Sequence, residues 1–109
     1  MKYRKLGRTN WEVSEIGYGM WGMAGWTGSD DDESMQSMQK AVDLGCNFFD
    51  TAWGYGSGKS ESLLGELIRA NPQKRLYTAT KILLKISNGP VAVNILLMIV
   101  SPRIIFSGL

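Results

Sequence analysis

The sequence predicts an α/β fold of parallel strands, and three observations predict it. Short apolar runs of strand character alternate with amphipathic helical runs after residue 16. Two of those strand runs stop on an ionisable residue, Asp50 and Lys81. A glycine-rich loop, not a hairpin turn, leads from the middle strand into a helix. Strands that alternate with helices pair in parallel, and their C-terminal ends are where such folds build sites.

The elements follow in order. Tyr3 to Leu6 and Trp11 to Ile16 read as two short strands, and Gly7-Arg8-Thr9-Asn10 between them is turn chemistry, so the chain opens on a hairpin. Ile16 to Trp21 reads as another extended segment, with internal glycines that mark a close approach by backbone or ligand. Gly22 to Ser29 reads as a loop. Asp30-Asp31-Asp32-Glu33 then places acids where a helix N-terminus favours them, which is capping rather than metal binding. Met35, Met38, Ala41 and Val42 keep helical spacing up to Gly45, and the methionines read as core packing. Asn47 to Thr51 is a short buried strand with Asp50 near its end. A helix runs from about Ser60 to Ala70, with Leu63, Leu64, Leu67 and Ile68 on one face, and Asn71-Pro72 ends it. Leu76 to Lys81 is a third strand, β-branched and aromatic, ending on the lysine.

Composition narrows the function classes. A chain of 109 residues is one domain or less, and 44% hydrophobic with 20% charged residues is ordinary globular composition. A net charge of +2 is too small to argue for nucleic acid. All ten acids lie at or before Glu66, so the positive excess sits late, as Lys85 and Arg103. The single cysteine, Cys46, reads as a small buried hydrophobe, and its lack of a disulfide partner leans cytoplasmic. There is no histidine, which removes Ser-His and Cys-His catalysis and His-ligated zinc, and no metal site is expected. Met-Lys-Tyr-Arg-Lys has no apolar run behind it and does not read as a signal peptide.

The character changes after Lys85. Val91 to Val100 holds nine apolar residues of ten, with no acid and no clear amphipathic period. It is shorter than the roughly 20 residues that cross a bilayer, so no membrane partner is expected. A buried strand is one reading of it; exposed, it would drive self-association. Residues 86–109 therefore read as an atypical apolar tail behind the α/β part, 1–85. Hypothetical codons for this tail, read two bases on, encode a polar loop. Out-of-frame translation is accordingly a hypothesis, and it fails if the downstream bases encode no barrel in the other frames.

Two glycine patterns invite a nucleotide. Gly17-Tyr18-Gly19-Met20-Trp21-Gly22 matches a dinucleotide fingerprint, which needs a helix to start at once; here the helix waits until about residue 30. Gly54-Tyr55-Gly56-Ser57-Gly58-Lys59-Ser60 resembles a phosphate loop, but Gly54 leaves three residues before Gly-Lys-Ser where four are required. Trp53 stands where the first glycine should, crowding a backbone nest. A phosphate-loop module is therefore kept as an alternative.

A constellation spread along the chain is more informative. Trp21, Asp50 and Lys81 each sit at or near the C-terminal end of a successive predicted strand, and in a parallel barrel those ends converge on one face. Tyr55 hangs over that face from the loop after the second of them. A lysine beside a tyrosine favours the phenolate, and an acid beside the lysine holds it charged. That makes Tyr55 a candidate proton donor to a carbonyl oxygen.

The residues that carry a family likeness are now in place. Tyr3 to Thr9, Ser14 to Gly19, Ala41 to Ala52, Tyr55-Gly56, Ser60-Glu61, Leu64-Gly65 and Thr80-Lys81 together resemble the aldo-keto reductase family over residues 1 to about 82. The resemblance implies the N-terminal part of a TIM (β/α)8 barrel, incomplete, its bottom closed by an N-terminal hairpin. It implies NADPH as hydride donor and a small carbonyl substrate, an aldehyde or ketone. By position it makes Tyr55 the general acid, Lys81 its activator and Asp50 the partner of Lys81. Gly19, Met20, Trp21 and Asp50 would meet the cofactor, and Trp53 would line the substrate pocket. The family's catalytic histidine has no counterpart here. The expectation is a fragment of an oxidoreductase, inactive alone. The non-enzymatic alternative is a truncated product associating through its tail.

Overall fold

A computed structural model describes residues 1–25, 28, 30–85 and 94–101, with backbone only for 83–85 and 94–101. The expected hairpin forms from β1 (Tyr3–Lys5) and β2 (Glu12–Ser14), which pair antiparallel. A 3-10 turn, Gly7–Thr9, connects them. Both strands are shorter than the apolar pattern implied, because the hairpin is held mainly at its root. Asn47 accepts from the Ser14 amide at 2.7 Å and donates to the Glu12 carbonyl at 2.9 Å. Trp11 packs on Tyr77 with ring centroids 5.3 Å apart.

The main sheet runs β3-β4-β5-β6. Its first three strands, β3 (Tyr18–Gly19), β4 (Phe48–Asp50) and β5 (Tyr77–Lys85), are parallel, as the alternation predicts. Between them lie α1 (Asp31–Asp43) and α2 (Lys59–Ala70). The acid run caps α1 as expected: Asp30 Oδ1 accepts from the amides of Asp32 and Glu33 at 2.8 and 3.2 Å. Gly45, at φ +98°, closes the helix in a left-handed turn, and the Cys46 amide reaches back to the Ala41 carbonyl at 2.9 Å.

The core lies between the sheet and the two helices. Met38, Val42, Phe49, Leu63, Leu64, Leu67, Ile68 and Leu76 are all buried in one cluster. Met38 thus packs as the sequence indicates, and Cys46 is buried with them. At the far end of the helices the amides of Gln39 and Asn71 pair with each other at 2.8 and 3.0 Å, fastening α1 to α2.

Three expectations change. The segment after Gly19 does not stay extended to Trp21; a 3-10 turn spans Trp21–Ala24 inside what read as the Gly22–Ser29 loop, of which Trp26, Thr27 and Ser29 lie outside the described residues. The third strand does not end on Lys81 but runs on to Lys85. The cause is β6 (Asn94–Ser101), which pairs antiparallel with β5 from Thr78 to Lys85 and supplies hydrogen-bond partners where β4 has already stopped. Part of the predicted apolar tail is therefore a strand, while 86–93 and 102–109 lie outside the described residues. Among the described residues the sheet does not close into a barrel, and no helix is long and apolar enough to cross a membrane.

Candidate active site at the strand ends

Parallel register brings the site together. Gly19 is paired with Asp50, and Asp50 with Ala79. Lys81, two residues past Ala79, points to the same side of the sheet as Asp50. Its ammonium forms an ion pair with Asp50 and donates to the Thr51 carbonyl at 2.9 Å. The Lys81 side chain is 17% exposed and Asp50 is 41% exposed, so the pair sits at a mouth, not in the core.

Tyr55 completes the group. The Lys81 Nζ lies 5.5 Å from the centroid of the Tyr55 ring. The loop carrying Tyr55 is pinned on both sides. Gly56, at φ +74°, leans so close to the 3-10 turn that a Cβ would stand 2.9 Å from the Ala24 carbonyl oxygen. Only glycine fits that approach and that dihedral. On the other side the Ser60 amide donates to the Tyr55 carbonyl at 3.2 Å, and the Trp53 amide to the Lys81 carbonyl at 3.1 Å. The loop is thereby tied to β5 and to α2, which limits where the phenol can go.

The cofactor-side residues separate into two kinds. Gly19 is exposed, and the space where a Cβ would stand is open. Trp21 is 58% exposed one residue past Met20. Met20 differs: its side chain is fully buried in the core, and its amide and carbonyl are bonded to Asp50 and to Met23 and Ser60. It shapes this end from beneath and presents no side chain to a ligand. Trp53 is 41% exposed on the Tyr55 loop, at the rim where a substrate would enter.

The phosphate-loop pattern is committed elsewhere. Lys59 forms an ion pair with Asp31 at 3.2 Å, and the Ser60 hydroxyl is fully buried against Thr51 and the Met20 carbonyl. Neither side chain is poised over the loop as a phosphate site requires. Among the described residues no group of three or more Cys, Asp or Glu side chains gathers to hold a metal. Sequence reasoning missed the buried residues beneath the site: Thr51, Ser60, Glu61 and Thr80. The available signal was phase, because Thr51 and Thr80 adjoin Asp50 and Lys81 and so face the helices.

The aldo/keto reductase family matches residues 15–95. The aldo-keto reductase YhdN of Bacillus subtilis is 35% identical over 92 residues, which is 82% of this chain and 28% of that protein. A 6-dehydroglucose reductase of Novosphingobium aromaticivorans is 38% identical over 87 residues, 72% of this chain and 28% of its own length. In three dimensions the chain superimposes on the holo form of aldo-keto reductase AKR11C1 from Bacillus halodurans with a TM-score of 0.67 and 30% identity, covering 84% of this chain and 29% of that one. The chain spans less than a third of these relatives, and the part it shares is the run of parallel strands and helices that places Asp50, Tyr55 and Lys81. A match that passes unbroken through β3, α1, β4, α2 and β5 makes this chain a member of the aldo/keto reductase family.

Proposed function

We propose that the C-terminal ends of β3 and β4, together with Lys81 within β5, form the proton-donor side of an NADPH-dependent reduction of aldehydes or ketones. The observation that carries this reading is one ammonium group, Lys81, touching Asp50 and the Thr51 carbonyl while standing over the Tyr55 ring. Tyr55 gives its phenolic proton to the carbonyl oxygen of the substrate. Lys81 stabilises the phenolate left behind, and Asp50 keeps Lys81 aimed. NADPH, when bound, supplies the hydride. Gly19, Trp21 and Asp50 would hold its nicotinamide end, and Trp53 would contact the substrate. The relative named as a reductase supports the reductive direction.

The 109 residues alone bind without turning over. The sequence contains no histidine to share the developing charge on oxygen. The mouth is open, with Trp21 and Trp53 exposed, so water screens the charges that a closed site would concentrate. Titration of the purified chain with NADPH tests the reading, followed by tryptophan fluorescence beside far-UV circular dichroism. Saturable quenching with a folded spectrum is expected, without aldehyde-dependent consumption of NADPH. A folded chain that shows no quenching overturns the cofactor assignment. Any carbonyl turnover overturns the expected inactivity, and turnover that survives Tyr55→Phe overturns the role of Tyr55 as well.

A second reading has its own observation. β6 is the edge strand of the main sheet among the described residues, and 95–100 carry no charge. Edge strands without charge or proline template further pairing. We propose that copies of the chain associate there. Sedimentation should show concentration-dependent assembly that disappears when 86–109 are deleted; assembly that persists without them refutes this reading.

A further inference from the structure

We infer that Ser60 and Glu61, in the first turn of α2, are positioning residues that hold together the three parallel strands where they carry the site; only the identity of that site rests on the function proposed above. Two consecutive side chains reach three strands. The Ser60 hydroxyl lies 3.3 Å from the Met20 carbonyl, just past β3, and 2.7 Å from the Thr51 hydroxyl, just past β4. Glu61 Oε1 accepts from the Thr80 hydroxyl of β5 at 2.5 Å. Ser60 and Thr51 are fully buried, and Thr80 and Glu61 are 4% and 8% exposed. A serine hydroxyl carries one proton. It goes to the Met20 carbonyl, so Thr51 is the donor to Ser60. Glu61 stands in the first turn of its helix, where the dipole favours a carboxylate.

Strand alternation gives these contacts their consequence. Thr51 follows Asp50 and Thr80 precedes Lys81. Adjacent residues of a strand point to opposite faces. Each gripped hydroxyl is therefore one residue from a site residue, on the reverse of the sheet. The first turn of α2 sets the spacing of the backbone that carries Asp50 and Lys81, and the same turn anchors the loop that carries Tyr55 through the Ser60 amide. Helix, loop and strand ends form one unit in which the ion pair is held from behind.

The test reads the Lys81 ammonium directly in the 109-residue chain labelled with 15N-lysine. Held by Asp50 and the Thr51 carbonyl, this group gives an exchange-protected Nζ resonance, identified by its loss in Lys81→Arg. Thr80→Val and Ser60→Ala should abolish or shift that resonance toward free lysine while circular dichroism stays folded, and Thr80→Ser should restore it. Thr78→Val is the control, because Thr78 is fully buried on the same face of β5 with its hydroxyl unpaired. If Thr80→Val leaves the resonance unchanged, or Thr78→Val disturbs it equally, these residues only fill the core and the inference falls. A wild-type chain with no protected Nζ resonance also overturns it. Should Ser60→Ala unfold the chain, the isosteric Thr51→Val and Thr80→Val decide the matter. No cofactor enters the experiment, so its outcome is separate from whether NADPH binds.

Discussion

The two faces of β4 and β5 are built on opposite terms. Toward the helices stand Phe49, Thr51, Thr78 and Thr80, none more than 4% exposed. Their polar atoms are hydroxyls, and all but that of Thr78 are bonded to α2. Toward the other side the buried Tyr77 and Ala79 give way to Asp50 and Lys81, charged, partly exposed and close to a tyrosine. The difference teaches where each kind of energy resides. The helix side holds the fold through apolar burial, which a single truncation damages. The other side holds chemistry through charges whose removal alters stability little, because water is already present to solvate what is left.

Mutations can break or sharpen this contrast. The largest effect is expected at Leu64, fully buried between α2 and the sheet; Leu64→Ala should lower the unfolding free energy by about 3 kcal/mol, read from the urea midpoint. A loss under about 1 kcal/mol would mean the helices do not pack as described. Next comes Ser60→Ala, which strands the Thr51 hydroxyl in a dry place and should cost about 2 kcal/mol. Lys81→Met crosses to the other face. Its half-exposed partner, Asp50, can rehydrate, so the stability loss should be about 1 kcal/mol or less. NADPH-dependent quenching should nonetheless weaken. A stability loss as large as that of Leu64→Ala would erase the contrast. The smallest effect is Thr78→Val, which replaces an unpaired buried hydroxyl with a methyl group; stability should stay level or rise by about 0.5 kcal/mol.

Much of this could be read from the chain itself. Asp30 before an acidic first turn marked the start of α1, and Gly45 its end, because caps are local chemistry. The leucines of α2 declared its buried face by spacing alone. Asp50, Lys81 and Tyr55 stood out because polar groups where apolar strands give way to loops require partners, and the structure brings these three together. Met20 misled. The resemblance placed it at the cofactor between an exposed glycine and an exposed tryptophan, yet strand alternation puts its side chain on the face of Tyr18 and Phe49, in the core. Ser60 and Glu61 read as the opening of a helix; what they touch lies 9 to 40 residues away in sequence.

The sequence by itself determined the order of elements, the parallel sense of β3, β4 and β5, and the placement of Asp50 where strand meets loop. Those features follow from periodicity, capping and chain connectivity, which act over a few residues. Only the tertiary structure decided that β5 continues to Lys85 against an antiparallel β6 and that Met20 faces inward. It also decided that one turn of α2 reaches all three parallel strand ends. Each of these depends on which backbone donors and acceptors meet across the sheet. That is a property of packing at long range, and no local pattern of side chains specifies it.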